Sequence, residues 1–281
     1  MSGKNSQAVD VSRNTVTPVQ SISIVSGKGG DGKSSLAINL AALLGEAGYS
    51  TLLMDAQLAA GTLATQLNVQ PRFNLSHVLS GERTISEIVT DTRAGFQLIP
   101  AASGIPELAR LSQNEHVALV KAFNLMHGAA DVLIVDNDTG ISGTVIDFSS
   151  AAREIMVILC DEPASINGAF ETIKVLDNRC RNSRFRIVVN KVESSQHGLD
   201  VYSKLIRMTD RYLDVLLEYC GSVPLDNVLH ESNCRQRVVT RTHPRAKSSN
   251  AFRKLATRVG RWPWPLEPNG REEFFSDRFK R

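Results

Sequence analysis

Short runs of consecutive apolar residues alternate along the chain with longer stretches whose apolar positions recur every three to four residues. The runs Ser21–Val25, Thr51–Met54, Phe96–Pro100, Val132–Val135, Glu154–Cys160, Arg186–Val189 and Tyr219–Val223 read as strands. Ser34–Gly48 and, with looser ends, Ser112–His127, Ala164–Asn178 and Ser203–Tyr212 read as helices. Strands that are apolar without interruption need cover on both faces. The pattern therefore predicts an α/β fold, a mostly parallel sheet with helices on both faces. In such a sheet ligands collect beyond the carboxyl ends of the strands. Gly27, Asp55, Asp136, Asn190 and Pro224 each follow such an end, so residues far apart in sequence are expected to meet on one edge.

A chain of 281 residues is long enough for one large core of this kind. Residues 1–20 are polar and mixed, and read as a flexible leader without the apolar centre of a signal peptide. No stretch approaches the roughly 18 apolar residues of a membrane span, so a cytoplasmic protein is expected. The four cysteines, Cys160, Cys180, Cys220 and Cys234, form no C-x-x-C pair, which points away from a zinc site or a disulfide framework. A net charge of +3 does not by itself call for nucleic acid. The charge is unevenly spread, however. From Asn233 to Leu266 there is no acidic residue, while nine arginines and lysines fall between Arg235 and Arg261. That run is either a solvated helix face or a surface for an anionic partner.

The sharpest signal is Gly27-Lys28-Gly29-Gly30-Asp31-Gly32-Lys33-Ser34, which matches G-x-x-x-x-G-K-[ST] between a predicted strand and a predicted helix. Glycines let the backbone close around phosphate oxygens, and successive N–H groups make an anion nest at a helix N-terminus. Lys33 is placed to reach the β- and γ-phosphates and the Ser34 hydroxyl to ligate Mg²⁺, with Ser35 donating toward the α-phosphate. Asp55 and Asp136, each ending an apolar run, are with Ser34 the candidate residues for the metal ion, and Asp55 is also a candidate catalytic residue.

The second lysine, Lys28, makes this loop resemble the deviant Walker A motif of the MinD/ParA/nitrogenase-iron-protein group. The resemblance implies a P-loop ATPase domain over residues 21–260 that binds ATP with Mg²⁺. It also implies a nucleotide-sandwich homodimer in which Lys28 reaches the partner's nucleotide. Within the group the chain is similar to the FlhG (FleN) family of flagellar-number regulators. The segments Ile99–Gly104, Cys160–Ile166, Thr209–Val215 and Glu273–Phe275 carry that likeness. It implies that Asn190 contacts adenine and that the segment after Pro224 closes over the base. It further implies control through a signal-recognition-type GTPase partner and a flagellar transcription activator, and peripheral docking on the inner face of the cell membrane. Residues 261–281 would supply the docking element. Phe274, Phe275 and Phe279 lie among basic residues in Arg271–Arg281 and would line one side of an amphipathic helix.

Three positions depart from the family pattern. Where the family has Asp-x-Asp after the second strand, this chain has Asp55-Ala56-Gln57. The second aspartate positions or activates the attacking water. An amide there can orient water but cannot take its proton, so hydrolysis is expected to be slow or absent. Asp31 replaces an apolar residue in the phosphate loop, and Asp136-Asn137-Asp138 adds a carboxylate, read as a solvated loop charge. Two other functions stay open at this point. One is a pseudo-ATPase that holds ATP as an interaction module; the other is a ParA-like partitioning ATPase using the basic run on DNA, although direct nucleic-acid binding is not favoured.

Overall fold

Each apolar run settles beside its neighbours in one sheet, because a strand buried on both faces has nowhere else to satisfy its backbone. The computed structural model describes residues 18–105, 108, 111–126, 130–180, 183–267 and 272–279. In chain order the elements are β1 (Gln20–Val25), α1 (Lys33–Glu46) and β2 (Thr51–Ala56), then the short α2 (Leu63–Gln66), α3 (Leu75–Leu79) and α4 (Ile85–Ile88). β3 (Thr90–Asp91), β4 (Gln97–Ile99), α5 (Gln113–Ala122), β5 (Val132–Asn137), α6 (Gly143–Ala151) and β6 (Glu154–Leu159) follow. The chain continues through α7 (Pro163–Cys180), β7 (Arg184–Val192), α8 (Ser195–Tyr212), β8 (Leu216–Pro224), α9 (Asn227–Cys234), α10 (Val239–Thr242) and α11 (Lys247–Val259). The strand order is β3-β4-β2-β5-β1-β6-β7-β8. Among the described residues only the β3–β4 pairing is antiparallel. The expected α/β architecture is what forms.

Alternate side chains of the strands feed two helical layers. Ile22, Ile24, Ile134, Met156 and Val188 pack under α1, α10 and α11. On the opposite face Val157, Leu159, Ile187 and Val189 pack under α7 and α8. Leu133, Val135, Leu52 and Met54 pack on Phe123 and Phe148 toward the β4 end. The helix behind the glycine-rich turn is buried almost all round, from Leu36 to Leu44, as suits a central crossover between two strands. β1 lies between β5 and β6, so the turn after it opens at the point where chain connections diverge to the two sides of the sheet.

The tail corrects one expectation. Among the described residues Arg271–Arg281 forms no amphipathic α-helix; its only helical element is a 3-10 turn at Ser276–Phe279. Phe275 holds φ 59°, a left-handed conformation that interrupts any helix through it. Phe274 and Phe275 are buried, with ring centroids 4.9 and 5.4 Å from Phe123. Glu273, also buried, pairs with Arg153 at 2.6 Å. Two of the three phenylalanines thus seat in the core rather than on a free stripe, while the side chain of Phe279 lies outside the described residues. At the other end Val19 and Gln20 are already buried and Gln20 opens β1, whereas residues 1–17 of the expected leader lie outside the described residues.

Candidate functional site

The turn from β1 into α1 needs glycine at two positions for steric reasons. A Cβ on Gly27 would sit 1.9 Å from the carbonyl carbon of Gly168, so the loop and α7 touch backbone to backbone. Gly32 takes φ +100°, and a Cβ there would meet the Asn190 amide nitrogen at 2.2 Å. The loop leads into a cavity of about 410 Å³ lined by Gly30, Lys33, Ser34, Ser35, Gln57 and Thr139, among others.

Lys33 is only 7% exposed, and its Nζ donates to Ser26 Oγ at 3.0 Å and Thr139 Oγ1 at 2.9 Å. Burial lowers its pKa, against the opposing pull of Asp136, Asp138 and Asp31. The ammonium therefore stands ready to exchange hydroxyl partners for phosphate oxygens. Asp55 and Asp136 are register partners on β2 and β5, and both are buried. Asp55 accepts from the backbone N–H of Gln57 at 3.1 Å and of Leu63 at 2.9 Å. Burial pushes its carboxyl up to about 6 and that of Asp136 up to about 7, the Asp55 charge adding to the latter.

These groups suit a divalent cation. Asp136 Oδ1 is buried without a hydrogen-bond partner among the described residues, and the Ser34 hydroxyl hydrogen-bonds to the same carboxylate. Hard oxygen donors with one orphaned carboxylate oxygen are what Mg²⁺ accepts. Gln57 occupies the neighbourhood. Its Nε2 lies 3.4 Å from both Ser34 Oγ and Asp136 Oδ2, so the amide donates toward the two groups that would face the cation.

The remaining expected residues divide. Asp31 is turned away from the cavity and buried, accepting from Ser165 Oγ at 3.0 Å in the first turn of α7. Lys28 is half-exposed and forms an ion pair with Glu162 of the same chain. Asn190 donates to the Asp31 carbonyl at 2.7 Å and accepts from the Lys191 N–H at 2.9 Å, so here it braces the loop. Pro224 ends β8 but lines a different cavity, beside Val192 and α11. Asp138 is exposed and accepts from the Thr139 N–H at 2.7 Å. Gly27, Gly29, Gly30 and Gly32 build the turn as expected.

Sequence reasoning missed Thr139, Asn233 and Arg237. Asn233 Nδ2 donates to Ser35 Oγ at 2.9 Å, and Arg237 lines the same cavity, so α9 and the turn after it form one wall. The start of the acid-free run was the available signal.

Fold and site together define a P-loop nucleotide-binding protein whose phosphate loop carries two lysines. A family model for the CobQ/CobB/MinD/ParA nucleotide binding domain matches residues 22–239. The antiactivator FleN of Pseudomonas aeruginosa is 38% identical over 261 residues, covering 93% of each chain. The flagellum site-determining protein YlxH of Helicobacter pylori is 27% identical over 236 residues, covering 84% of this chain and 80% of that one. Among solved structures, the septum site-determining protein MinD complexed with Mg-ADP from Pyrococcus horikoshii superposes with a TM-score of 0.72 at 22% identity, covering 86% of this chain and 96% of that chain. The chain belongs to the CobQ/CobB/MinD/ParA nucleotide-binding family and, within it, to the FleN (FlhG) branch.

Proposed function

We propose that this chain is an ATP-dependent switch that pairs with a second copy when nucleotide is bound and restrains flagellar number through protein partners. The observation that carries the reading is the loop itself: the buried Lys33 and the Ser34 hydroxyl line one cavity at the divergence point of the sheet, and Ser34 hydrogen-bonds to the buried Asp136 carboxylate, whose other oxygen is orphaned. Ser34 and Asp136 would hold Mg²⁺, with Asp55 supporting from the adjacent strand. Bound there, the metal would supply charge neutralisation for the β- and γ-phosphates. Lys28, held to Glu162 in the single chain, is the group that pairing would redirect toward a partner's nucleotide. The names of the similar FleN and YlxH proteins support a flagellar role. A signal-recognition-type GTPase and a flagellar transcription activator are the partners this reading favours. Docking on the inner membrane face would draw on the tail, and it requires Phe274 and Phe275 to leave their seat.

Gln57 favours a variant of this reading, in which ATP is held with slow turnover or none. Calorimetry with Mg–ATP on wild type and Lys33→Ala, run beside light scattering with and without nucleotide, tests the whole. Binding lost in Lys33→Ala, with a doubled mass only in the presence of ATP, is the expected result. Absence of affinity for adenosine phosphates in the wild type overturns it.

A further inference from the structure

The cations of the acid-free run stand apart from the others. Among the described residues no arginine or lysine from 235 to 261 lies within 4.0 Å of a carboxylate, whereas Lys28, Lys121, Arg153, Lys174, Arg184, Arg186 and Lys204 elsewhere are all ion-paired. Part of this charge is gathered in one place. A groove of about 450 Å³ runs between the β3–β4 turn, the end of α2 and the segment joining α9 to α10. Arg93, Arg235, Arg237 and Arg241 line it together with the apolar Leu67, Ala94 and Val238, and no carboxylate does.

These arginines are not equivalent. Arg241 is pinned, its Nη1 donating to the Ala94 carbonyl at 2.8 Å, and Gly95 leaves it room because a Cβ there would come within 2.8 Å. The side chains of Arg93, Arg235 and Arg237 have no hydrogen-bond partner among the described residues. Gln236, at φ 54°, turns the backbone between two of them. Each guanidinium offers five N–H donors in a planar fork that matches a carboxylate with two parallel bonds. Arg237 and Val238 also line the nucleotide cavity, so the two cavities share a wall.

We propose that this groove receives an acidic segment of a partner protein, its carboxylates on Arg93 and Arg235 and a small apolar side chain over Leu67, Ala94 and Val238, with occupancy coupled to nucleotide through the shared wall. The lining argues for a peptide rather than nucleic acid. It has no aromatic ring on which a base could stack, and apolar side chains lie between its arginines. It is concave, which suits an inserted side chain better than the plane of a lipid surface. The coupling rests on the nucleotide reading above; the groove does not.

The test is fluorescence anisotropy of a labelled acidic peptide of about 12 residues, glutamates with one leucine, an extended reach of roughly 40 Å. The full chain is titrated at low and at physiological salt, without and with Mg–ATP. Arg93→Glu and Arg235→Glu, neither of which lines the nucleotide cavity, are expected to weaken the peptide about tenfold or more while leaving ATP affinity in place. Arg253→Glu makes the same charge change on α11, away from the groove, and is expected to act less than about twofold. Equal weakening by Arg253→Glu, no binding by the wild type, or displacement of the peptide by duplex DNA each overturns the groove assignment. ATP must shift peptide affinity, and the peptide must shift ATP affinity by the same factor. If ATP binds but shifts nothing, the coupling fails; if ATP does not bind at all, the nucleotide reading fails while the peptide measurement still decides the groove.

Discussion

Replacing Gln57 by aspartate should turn a holding site into a hydrolysing one. The Gln57 N–H is fixed by Asp55, and its amide lies at the outer limit of hydrogen bonding to Ser34 and Asp136, 3.4 Å from each. Those two contacts are weak at that distance, so little holds the amide against substitution. A carboxylate at position 57 would join two buried carboxylates already pushed up to about 6 and about 7. At a separation of about 5 Å and an effective dielectric near 20, each like-charge pair costs about 3 kcal/mol when both groups are ionised. Asp136 sheds much of that cost by taking a proton, so the metal-free variant should lose only about 1–2 kcal/mol.

With Mg–ATP bound the balance reverses, because the new carboxylate faces a cation and can accept the proton of an attacking water. A positioned base contributes about 10²–10⁴ in rate, or roughly 3–5 kcal/mol of barrier. Steady-state phosphate release should therefore rise by that factor in Gln57→Asp and not in Gln57→Ala, with ATP affinity measured in parallel. Turnover of Gln57→Asp within threefold of a wild type that binds ATP would refute the assignment of this position.

Three further outcomes follow from the geometry. Asp136 holds its proton more tightly folded than unfolded, so its contribution to stability is present at low pH and is lost as pH rises from 3.8 through about 7. At about 1.4 kcal/mol per factor of ten in proton affinity, the cost above pH 7 is at most about 4 kcal/mol. Metal-free Asp136→Asn should accordingly melt well above the wild type near pH 8, by a smaller margin (about 1.5 kcal/mol) near pH 5, and level with it only below about pH 3.5, while losing the thermal shift given by Mg–ATP. Burial raises the Asp31 carboxyl, but the Ser165 hydroxyl, Lys28 and Lys33 pull the other way, and while ionised it repels phosphate. Asp31→Asn should bind metal-free ADP about 3–10-fold tighter at neutral pH, and lack the gain the wild type shows as falling pH neutralises the carboxylate. Phe274→Ala should cost about 3–5 kcal/mol in urea unfolding, because its ring is 2% exposed against Phe123 and Phe148; a loss under about 1 kcal/mol would mean the tail is not part of the core.

The phosphate loop was legible because its chemistry fixes its spacing: backbone must wrap an anion and one lysine must reach it, and few other sequences do both. The long strands were legible because burial on both faces leaves an unbroken apolar run. β3, two residues long, leaves no such trace. α11 was missed as a packed element although Phe252, Leu255, Ala256 and Val259 stand at helical spacing, because the four cations Lys247, Arg253, Lys254 and Arg258 on the same helix read as a solvated surface. The first half of α8 is polar, so only its later turns were read. The tail misled for a different reason. Its aromatic and basic residues fit a membrane stripe as well as they fit a clasp, and the choice was made by Arg153 and Phe123, more than a hundred residues away.

The side chains around the phosphate loop share one consequence. Asp31 and Gln57, two of the departures from the family pattern, and the signature Lys28 are each partnered elsewhere in the chain: Asp31 on Ser165 of α7, Gln57 on Ser34 and Asp136, Lys28 on Glu162. A loop so braced is formed before nucleotide arrives, so binding meets little backbone entropy but must break internal contacts. On nucleotide binding Lys33 would exchange Ser26 and Thr139 for phosphate, and the Gln57 amide would yield to the cation. Lys28 alone would gain nothing by leaving Glu162 within a single chain, since its pair is half-exposed and already satisfied. Its release becomes favourable only when a second copy presents a triphosphate to it. The energy that distinguishes the nucleotide-bound pair from the isolated chain should therefore reside in that exchange, and Glu162→Gln, by freeing Lys28 in advance, should lower the ATP concentration at which the pair forms.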